Sequence, residues 1–120
     1  MSTYIIRKNN VITMNRGDSL VKPISIYVGK FPSHEKITID SDDVIYFAVM
    51  EPNQHFECAV VKQEYSIEDF DDNGDLVLNL DPFQTIGLKS GKYYYEIKLL
   101  KASDSSIHTL IPKTAFNILD

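Results

Sequence analysis

The chain has 120 residues, 43% of them apolar and 11% aromatic, and its 17 acidic and 12 basic side chains give a net charge of -5. That is one domain able to bury an ordinary core, and the scattered basic residues lack the clustered positive surface that a nucleic-acid backbone requires. Cys58 is the single cysteine, so no intrachain disulfide forms, and the chain reads as synthesised in the cytoplasm, without a signal peptide or a membrane span.

Helical periodicity is nearly absent, whereas two-residue alternation recurs between clusters of turn residues. Residues 1–10 read as a terminal strand or arm, with a strand from Thr3 to Arg7 and a turn at Lys8-Asn9-Asn10. Val11 to Met14 is a second strand, stopped by Asn15-Arg16-Gly17-Asp18. Ser19 to Val28 is a third, with Ile24, Ile26 and Val28 on one face. Gly29 ends it, and Pro23 marks a strand start, an edge or a bulge. Lys30 to Lys36 reads as a loop, Ile37 and Ile39 as a short strand, and Asp40 to Asp43 as a turn.

Val44 to Met50 is apolar on both faces, which predicts a central strand. Glu51-Pro52-Asn53-Gln54 turns the chain, Phe56 to Gln63 returns as its hairpin partner, and Tyr65 to Phe70 reads as another short strand. Asp71-Asp72-Asn73-Gly74-Asp75 is a turn in which Gly74 supplies positive φ. Leu76, Leu78 and Leu80 alternate inward. Asp81-Pro82 opens one short helical turn through Ile86, which Gly87 would end in a left-handed conformation. Beyond the turn Ala102 to Ser106, the segments Ile107 to Ile111 and Thr114 to Leu119 complete the sheet.

The run Gly91-Lys92-Tyr93-Tyr94-Tyr95-Glu96-Ile97-Lys98-Leu99-Leu100 leaves a glycine-bounded corner and alternates cleanly. Tyr93, Tyr95, Ile97 and Leu99 share the face expected to be core, and Tyr94, Glu96, Lys98 and Leu100 the other. Gly91 and Tyr93 together resemble the tyrosine corner of Greek-key sandwiches, in which a hydroxyl ties the strand to the preceding loop. The predicted fold is an all-β, immunoglobulin-like antiparallel β-sandwich of about seven to nine strands, with at most one short helical turn near 82–87.

Chemistry-bearing motifs are sparse. Asp69, Asp71, Asn73 and Asp75 match the opening of a calcium loop, but its closing bidentate Glu would fall at Leu80, an inward strand residue. They are weak metal candidates, and no metal or other cofactor is expected. His55 and Cys58 would diverge on a strand, and His34 and His108 lack partners at ligand spacing. Cys58 reads as a small buried hydrophobe rather than a nucleophile. No catalytic residues and no enzymatic activity are expected. Arg16-Gly17-Asp18 spells a cell-adhesion tripeptide but reads as a glycine turn. Tyr4, Ile5 and Ile6 in the terminal strand, with Tyr94 and Leu100, are the candidate interface. Leu110 or Phe116 would extend that apolar patch.

Three stretches, Ile12 to Asp18, Gly74 to Leu80 and Asp81 to Leu99, resemble in order the small immunoglobulin-like domains of phage and prophage virion proteins. They are similar to the N-terminal domain of upper baseplate proteins in siphophages of Gram-positive hosts. The resemblance implies a virion-associated structural module that works in tail or baseplate assembly. Its partners would be other virion proteins or further copies of itself, with no nucleic acid and no membrane. It transfers no catalytic residues. The alternative is a carbohydrate- or surface-binding β-sandwich using exposed tyrosines.

Overall fold

The computed structural model describes residues 4–5, 11–28 and 35–120, with the backbone alone at 4, 5 and 28. The expectations for Thr3, Ile6, Arg7, the turn at 8–10, Gly29, residues 30–34 and His34 lie outside the described residues. The strands are β1 (Tyr4–Ile5), β2 (Ile12–Asn15), β3 (Leu20–Ile24), β4 (Tyr27–Val28), β5 (Glu35–Lys36), β6 (Val44–Met50), β7 (Val61–Tyr65), β8 (Leu76–Leu80), β9 (Gly91–Leu100) and β10 (Ile107–Leu119). Seven of these have four residues or more and carry the fold.

A five-stranded sheet in the order β2-β10-β9-β6-β7 faces the pair β3-β8, and β1-β4-β5 form a small third sheet. The fold is an all-β sandwich. Alternation explains why the layers close: Leu76, Leu78 and Leu80 of β8 and Ile24 of β3 share one buried cluster with Ile45, Phe47, Tyr95, Ile97 and Phe116 of the large sheet. At its centre the Phe47, Tyr95 and Phe116 rings lie 5.5 to 6.4 Å apart, tilted or edge-on, as aromatic quadrupoles prefer. β6 is central, between β9 and β7, and its outer-face Ala48 and Met50 are buried as well.

Several local expectations need correction. The sheet is not wholly antiparallel, because β2 runs parallel to β10; the two are distant in sequence, so no hairpin dictates their direction. The expected strands at 107–111 and 114–119 are one, β10, with register shifts between Thr109 and Ile111 and between Ile111 and Thr114. Pro112 falls in that irregular stretch, where a missing N–H is tolerated. The third strand breaks at Ser25-Ile26, and Glu35–Lys36 pairs with β4 rather than lying in a loop. Ile37 and Ile39 are buried without being a strand; Ile37 N–H donates to the Ile26 carbonyl at 2.8 Å.

Among the described residues three 3-10 turns occur where one was expected: Phe56–Cys58, Ile67–Asp69 and Pro82–Gln84. Local capping explains the second, where Ser66 N–H donates to Asp69 Oδ2 at 2.9 Å and Glu68 N–H to Ser66 Oγ. Gly87 is not left-handed; the third turn is closed by Leu88 N–H donating to the Thr85 carbonyl at 2.9 Å. Leu110 and Phe116 belong to the core, not to an outer patch, since Phe116 lies opposite Tyr93 on the inner face.

Candidate functional site

The corner into β9 is built from the residues that mark it in the sequence. Gly91 has φ +148°, a backbone state that side-chain-bearing residues rarely adopt. Two residues on, the buried Tyr93 donates its hydroxyl to the Lys89 carbonyl at 2.8 Å, the bond that defines a tyrosine corner. Desolvation raises the pKa of this hydroxyl, with Glu51 adding to the effect. The Arg16-Gly17-Asp18 turn docks on the segment leading to the corner. Gly17, at φ +81°, donates its N–H to Oγ1 of the fully buried Thr85 at 3.0 Å. The Arg16 guanidinium donates to the Leu88 carbonyl at 3.3 Å and pairs with Asp120. The tripeptide is thus a structural turn whose arginine is engaged within the chain.

The carboxylates of Asp69, Asp71 and Asp75 are engaged within the chain. Asp71 Oδ1 accepts the N–H groups of Asn73 and Asp75 at 2.9 and 3.0 Å, and Gly74 has φ +80°. Asp69 caps the preceding 3-10 turn. Asp75 Oδ1 accepts from Ser25 Oγ at 2.7 Å and from Lys36 Nζ at 2.9 Å. Lys36 also donates to the Asn73 carbonyl at 2.7 Å, and its pKa is raised chiefly by the hydrogen bond to Asp75. Among the described residues, no three His, Cys, Asp or Glu side chains gather where they could hold a metal ion.

Cys58 is exposed, not buried: the segment expected as strand from Phe56 curls into a 3-10 turn, with Cys58 N–H donating to the His55 carbonyl at 2.9 Å. His55 and Cys58 therefore bracket a turn instead of lying on a strand. The hairpin after β9 holds a further polar chain that the sequence pattern did not mark. Ser106 Oγ donates to Asp104 Oδ1 and lies 2.9 Å from His108 Nε2. With its proton directed at Asp104, the serine is not poised for deprotonation by the histidine, unlike a hydrolase triad.

Another unforeseen feature is Asp43, 1% exposed. Its Oδ1 accepts from Ala102 N–H and its Oδ2 from Asp40 N–H, each at 3.0 Å, with Lys101 Nζ 3.5 Å away. These bonds, the one from Ala102 foremost, lower its pKa and lock two hairpin ends together. The signal was in the sequence as a self-capping run, Asp40 to Asp43, but its partner Ala102 is 59 residues distant.

The remaining surface of interest is the outer face of the large sheet. Tyr94 and Leu100 lie there half-buried, as alternation requires, with Lys92 Nζ 5.4 Å from the centre of the Tyr94 ring. Tyr4 and Ile5 pair with Val28 and Tyr27 of the same chain; Ile6 lies outside the described residues. Beside β7 the face opens into a cleft of about 580 Å³, lined by Tyr46, Phe56, Glu57, Lys62 and Glu64. Lys98 Nζ sits 4.8 Å from the centre of the Phe56 ring. Along the other side of β7, Val60 and Phe83 flank a shallower groove, with Phe83 85% exposed.

Of the tyrosines whose side chains are described, Tyr65, Tyr93 and Tyr95 are buried and Tyr27, Tyr46 and Tyr94 half-buried. Among the described residues no helix is long and apolar enough to cross a membrane. No family model matches the chain, and no curated protein or solved structure is significantly similar to it.

Proposed function

We infer that this chain is a non-enzymatic assembly module of a phage or prophage particle, working in the tail or baseplate through contacts with other virion proteins or with copies of itself. The observation that carries the reading is the corner in which two of the three resembling stretches meet. The turn at Arg16-Gly17-Asp18 bonds to Thr85 and Leu88, immediately before Gly91 and Tyr93 open β9. Polar side chains at the turns act in the same structural sense. Asp43, Asp69, Asp71 and Asp75 each accept bonds that fix a turn or join two segments.

The test is to induce particle formation in the source cells and band the particles on a density gradient. Immunoblotting then locates the chain. Co-banding with intact particles or free tails supports the reading; a chain found wholly in the light, soluble fraction contradicts it.

The cleft supports a second reading, binding of a saccharide or cell-surface polymer. Tyr46 and Phe56 offer ring surface, and Glu57, Lys62 and Glu64 offer hydrogen-bonding groups around it. The chain has no tryptophan, so tyrosine fluorescence reports binding directly. A saturable change with host cell-wall oligosaccharides, lost in Tyr46→Ala but kept in Tyr94→Ala, would favour this reading. A flat titration counts against it.

A further inference from the structure

Among the described residues, β7 is the outer strand of the five-stranded sheet, with β6 as its one strand neighbour. An edge strand offers backbone donors and acceptors to another strand unless something blocks it. The other outer edge nearby, that of β8, is closed from within: Tyr65 O–H donates to the Asn79 carbonyl at 3.2 Å and accepts Asn79 N–H at 3.1 Å. Nothing comparable ties down the backbone of Lys62, Gln63 and Glu64 on the side away from β6 among the described hydrogen bonds.

We propose that β7 pairs antiparallel with β7 of a second copy of this chain, across a two-fold axis at Gln63, joining the two five-stranded sheets edge to edge. Charge complementarity picks out both partner and register. Lys62 and Glu64 are exposed and share the outer face, since they lie opposite Ala48 and Tyr46. With the axis at Gln63, Lys62 faces Glu64 of the partner subunit, and Glu64 faces Lys62 of the partner subunit. Directly opposed unlike charges stabilise an antiparallel pair and like charges destabilise it. An axis at residue 62 or 64 would oppose Lys62 to its own copy or Glu64 to its own copy. A two-fold contact also uses one patch twice, which a strand carrying one charge of each sign about its centre satisfies.

Apolar groups flank the same edge. The two-fold brings the Val60 end of each β7 to the Tyr65 end of the other, beyond which Ile67 stands in its 3-10 turn. Phe83, beside Val60, is thereby brought toward that residue. Phe83 and Ile67 are 85% and 42% exposed in the single chain. Their contact supplies the anchor that the charged strand centre lacks.

This inference names a partner for the assembly reading but can fail separately, because dimerisation is read in purified protein and particle association in particles. Sedimentation equilibrium from about 1 to 100 μM measures the dimer across the range in which modest interfaces act. Wild type should dimerise. Lys62→Glu and Glu64→Lys should each weaken the dimer about tenfold or more, since each turns two attractive pairs repulsive. An equimolar mixture of the two variants should recover wild-type affinity as a heterodimer, because every Lys again meets a Glu. Phe83→Ser should weaken the dimer while leaving the circular dichroism melt of the chain unchanged. A monomeric wild type at 100 μM, single reversals without effect, or a mixture that fails to recover would each overturn the proposal.

Discussion

Tyr93 and Tyr94 are chemically identical neighbours with different surroundings, because alternation places one ring in the core and leaves the other half-buried under Lys92. Tyr93→Ala should cost about 3 kcal/mol or more and Tyr93→Phe about 1 kcal/mol, the latter for the lost bond to Lys89. Tyr94→Ala should cost far less, and urea melts of the three variants check the order. At Gly91 a Cβ would meet nothing within 4 Å, so any loss in Gly91→Ala comes from its φ of +148° alone. Asp43 contributes to the pH dependence. Its carboxyl is held below the usual 3.8, so its contribution is fully present above about pH 4 and is lost as pH falls through the lower folded value. Asp43→Asn should cost about 1 to 3 kcal/mol at neutral pH and flatten the fall in stability below about pH 4. Thermal melts from pH 2.5 to 7 check both points.

Strands whose two-residue pattern reaches the core were legible from residues alone: Val44 to Met50, Leu76 to Leu80 and Gly91 to Leu100 form where the alternation puts them. The failures have physical causes. Ile67 to Asp69 continues a strand-like pattern, yet the Ser66–Asp69 capping bonds curl it into a 3-10 turn, and Phe56 to Cys58 curls likewise without a side-chain cap. The break expected between Ile111 and Thr114 is absorbed by register shifts within β10. The parallel β2-β10 pair and the Asp43 lock join residues far apart in sequence, and no local pattern records them. At the acidic turn, Asp71 and Asp75 are already occupied by backbone N–H groups, a serine and a lysine. Chelation should therefore leave the melting temperature within error, and millimolar Ca²⁺ should not raise it; a large upward shift would mean that the turn reorganises around the ion.

The whole molecule presents one well-filled core, one large sheet with a partly apolar outer face, and an edge strand whose charges match a second copy of itself. Its net charge of -5 suits a partner recognised by shape and local complementarity better than by a polyanionic backbone. The proposed role makes the chain a stoichiometric part of a virion rather than a soluble catalyst or a scavenger of surface sugars. The most direct measurement is quantitative mass spectrometry of particles carried through successive purification steps, with the ratio of this chain to the major tail protein determined at each. A structural module predicts a ratio that stays constant through every step and equals a fixed copy number per particle. A ratio that falls toward zero as the particles become purer would contradict the account.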